Sequence, residues 1–264
     1  MHVARGLEGV PRSDEPVFVV LGVFDGLHVG HAYLLRHLVE EARRRHARPV
    51  VITFDHHPDE VLTGSAPPLL CDPDERLALL EAAGVETTVV VHFDQRLRET
   101  PYEAFVTAIA DRAPIAGFLM TPDAAFGYER AGTPAALASL GKDRGFDVVV
   151  VPPFELDGSA VRSSEVRRAI EAGDLARVAR LLGRPHAVTG SPVIEGGRAT
   201  VRFQVPVALP PAGAYLCDVT ADGGEPRRAT VELAHRAIVL PADIDPRFVR
   251  VAFRERVDPV GPSM

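Results

Sequence analysis

The chain has 264 residues, of which 46% are hydrophobic and 25% charged, a composition typical of globular proteins with an extensive core. Its formal net charge of −7 argues against a nucleic-acid carrier, because such proteins usually carry a basic excess. The sequence offers no apolar run of membrane-helix length, no signal-peptide core near the start, and only two cysteines. We therefore expect a cytoplasmic protein without membrane or nucleic-acid partners. The sequence assigns no oligomeric state.

The first two thirds of the sequence alternate apolar strands with amphipathic helices. Residues 1–16 are expected to form an irregular lead-in, and strands are predicted at residues 17–23, 50–54, 87–93, 115–120 and 148–151. The first helix should run from about residue 30 to 45, and later helices should begin behind the caps Asp72, Thr100, Thr133, Ser163 or Ser164, and Asp174. This alternation predicts an α/β domain with a doubly wound parallel sheet.

Polar residues collect where the predicted strands end, which is the edge at which such sheets bind ligands. His28 and His31 follow the first strand in a glycine-punctuated turn that opens a helix. Free N–H groups and the helix dipole make such a turn suitable for an anion, phosphate above all. The HxxH spacing also suits a metal ion, but His56 and His57 are the only further ligands near in sequence. We therefore favour phosphate contact.

The pattern changes after Pro185, where apolar and polar residues begin to alternate with period two. Turn residues gather at Glu195-Gly196-Gly197, Pro210-Pro211 and Asp222-Gly223-Gly224. Short alternating segments between such turns predict antiparallel strands in a small sandwich or barrel. We therefore expect two domains, residues 1–183 and 184–264.

Five segments, in order, resemble the adenylyltransferase domain of the bacterial bifunctional riboflavin kinase/FAD synthetase family. They are Arg5-Gly6-Leu7-Glu8, FDGLHVGH at 24–31, TFDHHP at 53–58, Phe126-Gly127 with Arg130 and Gly132, and LLGRP at 181–185. Together they span most of the first two thirds of the chain. The order and spacing of all five favour membership of this family.

The resemblance implies the HxGH nucleotidyltransferase variant of the doubly wound sheet, followed by a smaller all-β, barrel-like domain. It implies transfer of AMP from Mg²⁺-ATP to FMN, with FAD and pyrophosphate as products. The implied catalytic residues are His28, His31 and Arg167, which would contact the ATP phosphates. Further implied nucleotide-binding residues are Gly22, Phe24, Asp25, Gly26, Gly30, Arg162, Ser163 and Ser164. Implied acceptor-binding residues are Asp55, His57, Pro58, Asp123, Phe126, Gly127 and Arg130, and no side chain is assigned as a direct metal ligand.

The sequence departs from the family's motifs at three places. Arg162 replaces a serine and could either add a phosphate contact or face solvent. Ala124 replaces an aromatic residue and His56 a proline, which leaves open whether flavin is the acceptor; Phe126 could line the pocket or only pack the loop. The threonine and asparagine of the kinase motif are absent after the GRP segment, so we expect a retained barrel without riboflavin kinase activity.

Two alternatives stay open at this point. One is a paralogue that nucleotidylates another phosphorylated acceptor or uses CTP instead of ATP. The other is a non-catalytic protein that binds a nucleotide or a flavin. The retained pair His28 and His31, together with Arg167, favours catalysis, because binding alone does not require all three.

Overall fold

The structure, a computed structural model, describes residues 1–195, 198–203, 205–241 and 247–257. These residues form two compact units, one made of residues 1–67 and 73–160 and the other of residues 68–72 and 161 onwards. The helices after residue 160 therefore pack within the second unit, whereas the domain boundary near residue 184 remains a prediction from the sequence. Gly196 and Gly197 of one expected turn lie outside the described residues.

The first unit is built on a six-stranded parallel sheet with the order β1-β4-β3-β2-β5-β6. The strands are β1 (His2–Arg5), β2 (Val17–Leu21), β3 (Arg48–Phe54), β4 (Thr87–Val91), β5 (Ile115–Met120) and β6 (Asp147–Val150). The order of the strands reverses between β2 and β5, since the chain first builds outward on one side of β2 and then crosses to the other. This confirms the predicted doubly wound sheet, whose ligand crevice belongs at that reversal.

Helices cover both faces of this sheet. They are α1 (Val29–Arg44), α2 (Asp59–Thr63), α3 (Pro73–Ala82), α4 (Gln95–Arg98), α5 (Tyr102–Ala110) and α6 (Pro134–Arg144), and a short hairpin of β7 (Glu155–Leu156) and β8 (Ser159–Ala160) follows β6. Along β2, Val17 and Val19 enter one apolar cluster while Phe18 and Val20 enter another, because successive side chains of a strand point to opposite faces. Burial on both faces explains why the strand reads as a continuous apolar run.

Two expectations for the first unit are wrong. Residues 1–16 are not wholly irregular, because β1 pairs in parallel with β4, with His2 opposite Thr87. Only Ala4 of this edge strand is buried, so β1 lacks the apolar run that identifies the other strands. Thr100 does not cap α5; its hydroxyl donates to the carbonyl of Arg96 at 2.9 Å and closes the end of α4.

The second unit contains two helices and a closed antiparallel barrel with the order β10-β13-β12-β11-β14-β9. Its elements are α7 (Ser163–Glu171), α8 (Leu175–Leu182), β9 (Ala187–Glu195), β10 (Arg198–Arg202), β11 (Gly213–Ala221), β12 (Arg227–Ala234), β13 (Ala237–Val239) and β14 (Val249–Val257). Tyr215 and Phe253 fill the core, with ring centroids 5.4 Å apart at nearly right angles. The predicted all-β, barrel-like domain is thereby confirmed.

Helix starts in the second unit follow the sequence signals only in part. Asp174 caps α8 as predicted, accepting from the Arg177 N–H at 2.9 Å. The cap of α7 is Arg162 rather than a serine, because Ser163 and Ser164 already belong to the first helical turn. Among the described residues, no helix is both long enough and apolar enough to cross a bilayer.

Candidate active site

The turn between β2 and α1 is held in shape by its own side chains. Gly22 allows the Phe24 ring to fold back, since a β-carbon at Gly22 would lie 2.9 Å from that ring. Phe24 and Gly26 adopt positive φ angles of 52° and 75° around a short 3₁₀ turn. The side chains of Phe24 and Asp25 are only 1% and 3% exposed, so they support the turn from beneath. A nucleotide would therefore meet mainly the backbone of this turn.

His28 and His31 stand together at the start of α1, with Gly30 between them in the first turn. The Nδ1 atom of His28 accepts from the His31 N–H at 3.2 Å, which makes His28 the helix cap. An Nδ1 atom that accepts carries no proton, so a neutral His28 holds its proton on Nε2. The two rings stack at a centroid distance of 3.7 Å. The pair thus presents imidazoles at the positive end of a 16-residue helix.

The electrostatic state of His31 is set by its surroundings. Burial, followed by the neighbouring His28, lowers the pKa of His31 well below its ordinary value, so the ring is neutral near pH 7. Its Nδ1 atom is buried and, among the described residues, has no hydrogen-bond partner. A phosphate brought to this ring would supply both an acceptor and a negative charge, and both favour a proton on His31. The pair can therefore respond to charge that develops on a bound phosphate.

Arg76 on α3 supports this turn, a role that none of the sequence motifs indicates. Its guanidinium donates to the carbonyl of Val23 at 3.1 Å and to that of Phe54 at 2.8 Å. The Thr53 hydroxyl also donates to Val23, at 3.0 Å. Arg76 and Leu80 are the buried residues of α3. An arginine four residues before a buried leucine, on the same helix face, is the signal that could have revealed it.

A cavity of about 510 Å³ opens in the first unit beside the ends of β2 and β3. Aromatic side chains contribute much of its wall, namely Phe54, Phe93, Phe105, Phe126 and Tyr128. The expected acceptor residues His57, Pro58, Gly127 and Arg130 also line it. A largely apolar cavity of this size, with a few polar groups, is typical of a site for a small organic ligand.

A second cavity of about 270 Å³ lies where β2 and β5 end, at the reversal of strand order. Asp123 lines it, and the Thr121 hydroxyl lies 2.8 Å from an oxygen of this carboxylate. Arg130 donates to the Asp123 carbonyl at 3.1 Å. Phe126 and Arg130 line both cavities, so the two adjoin. The loop after β5 therefore provides a shared wall with a cation and a carboxylate.

Phe126 and Gly127 fix the shape of that shared wall. The Phe126 ring lies 5.2 Å from the ring of Phe105 and packs on the sheet core, while it also faces both cavities. Phe126 therefore both packs the loop against the core and lines the cavities. Gly127 has φ +76°, and a β-carbon there would lie 2.6 Å from the Tyr102 nitrogen. The loop can approach α5 this closely only because position 127 is glycine.

Asp55 differs from the other expected acceptor residues because it does not line either cavity. Its carboxylate lies 2.8 Å from Nδ1 of His92 and accepts from the Phe93 N–H at 3.3 Å. Burial acts to raise the pKa of Asp55, but hydrogen bonds from His92 and His56 outweigh it and hold the pKa below its ordinary value. Asp55 therefore fastens the loop after β3 to the loop after β4.

The remaining expected phosphate ligands lie on α7 of the second unit. Arg162 is exposed just before the helix, and Ser163 and Ser164 occupy the first turn. Arg167 is half-buried, and its Nε donates to the Pro68 carbonyl at 2.7 Å. This hydrogen bond through Nε fixes the orientation of the guanidinium. The contribution of these four residues to a nucleotide site remains a prediction.

Comparison with known proteins decides the family. The FAD synthetase family matches residues 10–165, more than half of the chain. The chain belongs to the FAD synthetase family. The match confirms the resemblance seen in the motifs, and with it the expectation of an enzyme of the FMN adenylyltransferase type.

Relatives in two bacteria extend the similarity over both units. The bifunctional riboflavin kinase/FMN adenylyltransferase of Pseudomonas fluorescens is 31% identical over 232 residues, which cover 84% of this chain and 74% of the relative. The protein of the same name from Escherichia coli K12 is 30% identical over 250 residues, covering 90% and 80%. A crystal structure described as a macrolide-efflux protein from Streptococcus pneumoniae superposes with a TM-score of 0.83 at 24% identity, covering 99% and 92%. At this identity the last likeness shows the fold alone.

Proposed function

We propose that this FAD synthetase family member transfers AMP from ATP to FMN, giving FAD and pyrophosphate. The observation that carries the proposal is the stacked pair His28 and His31, 3.7 Å apart at the amino terminus of α1. A helix start with two imidazoles suits the phosphates of a nucleoside triphosphate. The similar proteins named above, which carry FMN adenylyltransferase in their names, support the same reaction.

The chemistry asks for charge stabilisation more than for proton transfer. A phosphate oxygen of FMN attacks the α-phosphorus of ATP, the bond to the bridging oxygen of the β-phosphate breaks, and pyrophosphate leaves with that electron pair. The attacking oxygen is already anionic, so the reaction needs no general base. In this mechanism Nε2 of His28 donates to the phosphates, and His31 gains basicity as charge builds beside it. Donors aimed at developing charge are each worth about 2.7–4 kcal/mol.

Arg167 and Ser164 complete the triphosphate site in this proposal. Arg167 would bind the β- and γ-phosphates through its guanidinium, and Ser164 would offer a hydroxyl from the first turn of α7. The support is the family resemblance, which implies that Ser164 and Arg167 contact the ATP phosphates, together with the anchoring of Arg167 on the Pro68 carbonyl. Arg162 is exposed at the same helix start and could reach a phosphate or face solvent.

Mg²⁺ fits the oxygen donors at the reversal of strand order better than it fits histidine. Asp123 lines the smaller cavity with a carboxylate, the ligand type that Mg²⁺ prefers. We propose that Mg²⁺ arrives with ATP and is held chiefly by the phosphates. There it would neutralise the charge of the leaving pyrophosphate.

FMN is the acceptor that the larger cavity favours. The loss of an aromatic side chain at Ala124 raised doubt about flavin, but Phe54, Phe93 and Phe126 give the cavity an aromatic wall. A volume of about 510 Å³ is within the usual range for ring-containing ligands. Phosphorylated acceptors without a planar ring system could not use this aromatic wall.

Riboflavin kinase activity is absent in this proposal. The family's kinase motif needs a threonine and an asparagine for metal and phosphate, and the sequence Thr-Ala-Asn is absent from the corresponding residues 188–192, 195–200 and 203–206. Within these segments Gly196, Gly197 and Gln204 lie outside the described residues. The barrel then has a role other than phosphorylating riboflavin.

A cytoplasmic location, where ATP and FMN occur together, belongs to the same proposal.

A panel of substrates tests the proposal. The purified protein is incubated with Mg²⁺ and either ATP or CTP, and with FMN, riboflavin or other phosphorylated acceptors, while pyrophosphate and FAD are measured. We expect pyrophosphate and FAD in equal amounts from ATP with FMN, and no FMN from riboflavin. Product from another acceptor but not from FMN would remove the flavin assignment. No pyrophosphate from any combination would leave only the non-catalytic alternative.

A further inference from the structure

A cluster of metal-ligating side chains lies outside the cavities described above. Asp55 and His56 follow β3, and His92 follows the neighbouring strand β4. Nδ1 of His56 lies 3.0 Å from one carboxylate oxygen of Asp55, and Nδ1 of His92 lies 2.8 Å from the other. One ligand atom from each residue falls within 4.8 Å of the others. We call these three residues the Asp55 cluster.

We propose that the Asp55 cluster binds a divalent transition-metal ion such as Zn²⁺ or Co²⁺. Its two imidazoles and one carboxylate come from loops that adjacent parallel strands bring side by side. This donor set suits Zn²⁺ and its neighbours in the first transition row, whereas Mg²⁺ and Ca²⁺ prefer oxygen ligands alone. The site is therefore distinct from the Mg²⁺ that accompanies ATP.

The accessibility of the three side chains fits a metal site open to solvent. The side chains of His56 and His92 are 54% and 63% exposed, so an ion can enter without unfolding the chain. Asp55 is 27% exposed and is anchored by the Phe93 N–H, which orients its carboxylate. Three protein ligands leave a tetrahedral ion one position for water.

Metal binding replaces protons at both imidazoles. The proton on each ring nitrogen that faces Asp55 moves to solvent or to the other nitrogen of the same ring, and the freed lone pairs of His56 and His92 bind the metal. No electron transfer is involved. Affinity should therefore fall as pH falls, because protons compete for the same ligand atoms.

The position of the cluster gives the ion a bracing role at the larger cavity. His57 and Pro58, which follow His56, line that cavity, and so does Phe93, which follows His92. An ion that joins the two loops would hold opposite parts of this wall together. One of the three proposed ligands departs from the family motif, because His56 stands where the motif has proline.

Titration with Co²⁺ alone, in the absence of nucleotide, tests the site directly. We expect one equivalent to bind near neutral pH with a visible absorption band, and Zn²⁺ but not excess Mg²⁺ to displace it. The variants His56→Ala and His92→Ala should each weaken binding by at least about tenfold. Circular dichroism should show both variants folded, since the two side chains are exposed.

Matched controls separate the Asp55 cluster from other histidines. His46 and His235 are exposed and have φ of 50° and 48°, which asparagine tolerates, so His46→Asn and His235→Asn should bind Co²⁺ like the wild type. His31→Ala should also retain binding, because the ion does not use the phosphate site. Absence of a bound equivalent, or binding unchanged in both His56→Ala and His92→Ala, would overturn the proposal. Since no substrate is present, the result is independent of the adenylyltransferase activity.

Discussion

His28 has a structural role in α1, and we propose a chemical role for the same ring. Its Nδ1 atom accepts from the His31 N–H and caps α1, and in the proposed mechanism its Nε2 donates to a phosphate. A helix cap normally contributes about 1 kcal/mol to stability. The cap also fixes the tautomer, so that structural and chemical roles depend on the same hydrogen bond. The two roles can be separated because asparagine can cap a helix but has no imidazole.

The pair of variants His28→Asn and His28→Ala should separate these roles. Both should lower kcat for FAD formation by about 10²–10³-fold, since both remove the donor to the developing charge. Only His28→Ala should also lower the free energy of unfolding, by about 1 kcal/mol, because alanine cannot cap α1. Steady-state kinetics and urea unfolding measure the two effects. Full activity in His28→Asn would show that the ring serves α1 alone.

The lowered pKa of His31 predicts how stability changes with pH. The folded protein binds a proton to His31 only far below pH 6.5, whereas the unfolded chain does so near about 6.5. Between these two pKa values the unfolded state holds more protons, so stability falls as pH drops, by at most about 1.4 kcal/mol per pH unit from this residue. Urea unfolding from neutral to mildly acidic pH should show a steeper loss for wild type than for His31→Gln. Equal slopes would contradict a lowered pKa of His31 in the folded protein.

At the scale of elements, the loop after β5 depends on a glycine at a close contact. Gly127→Ala should strain φ and push the loop from the Tyr102 backbone, lowering stability and raising KM for FMN. Gly145→Ala is the matched control, because Gly145 has φ +80° with nothing within 4 Å of its β-carbon position. The control should lose only the dihedral cost of about 1–2 kcal/mol, and Gly127→Ala should lose more. Equal losses of stability, with KM unchanged, would argue against the close contact.

Arg76 is the second element-scale support, linking α3 to the turn after β2. Arg76→Met keeps an unbranched buried side chain but leaves two carbonyls without their charged donor. We expect a loss of about 1.5–3 kcal/mol in the free energy of unfolding, with lower kcat because the turn before His28 loosens. Arg76→Lys should recover only part, since an ammonium lacks the planar fork that reaches both carbonyls. Wild-type stability in Arg76→Met would contradict this role.

Elements that bury a continuous apolar face were predictable from the sequence, and those stabilised by pairing alone were not. β2 and β5 follow from apolar runs, and α8 follows from its Asp174 cap. β1 was missed because an edge strand needs few buried side chains. The serine cap of α7 was misplaced because two adjacent serines offer the same local signal.

The candidate site shows the same division. The proximity of His28 and His31 was predictable, because a spacing of three residues at the start of a helix fixes the distance between the two side chains. The contacts of Arg76 with Val23, and of His92 with Asp55, join residues 53 and 37 positions apart and carry no short-range pattern. The aromatic wall of the larger cavity likewise comes from four separated segments. Such contacts emerge only when the sheet brings the strand ends together.

At the scale of the whole molecule, the chain is a FAD synthetase family member with two folded units, and its barrel segment lacks the threonine and asparagine of the kinase motif. The residues proposed for nucleotide transfer fall in the region matched by the FAD synthetase family or shortly after it. The barrel is fully closed, with each of its six strands paired on both sides. The barrel therefore forms without the threonine and asparagine of the kinase motif.

The most direct test of the central claim is simultaneous measurement of FAD and pyrophosphate from Mg²⁺-ATP and FMN, for wild type and His31→Ala. We expect equal amounts of both products from wild type and a turnover about 10²–10³-fold lower for His31→Ala, with the variant still folded by circular dichroism. An unchanged turnover in His31→Ala, or no product from wild type, would contradict the assignment of the pair His28 and His31 to nucleotide transfer.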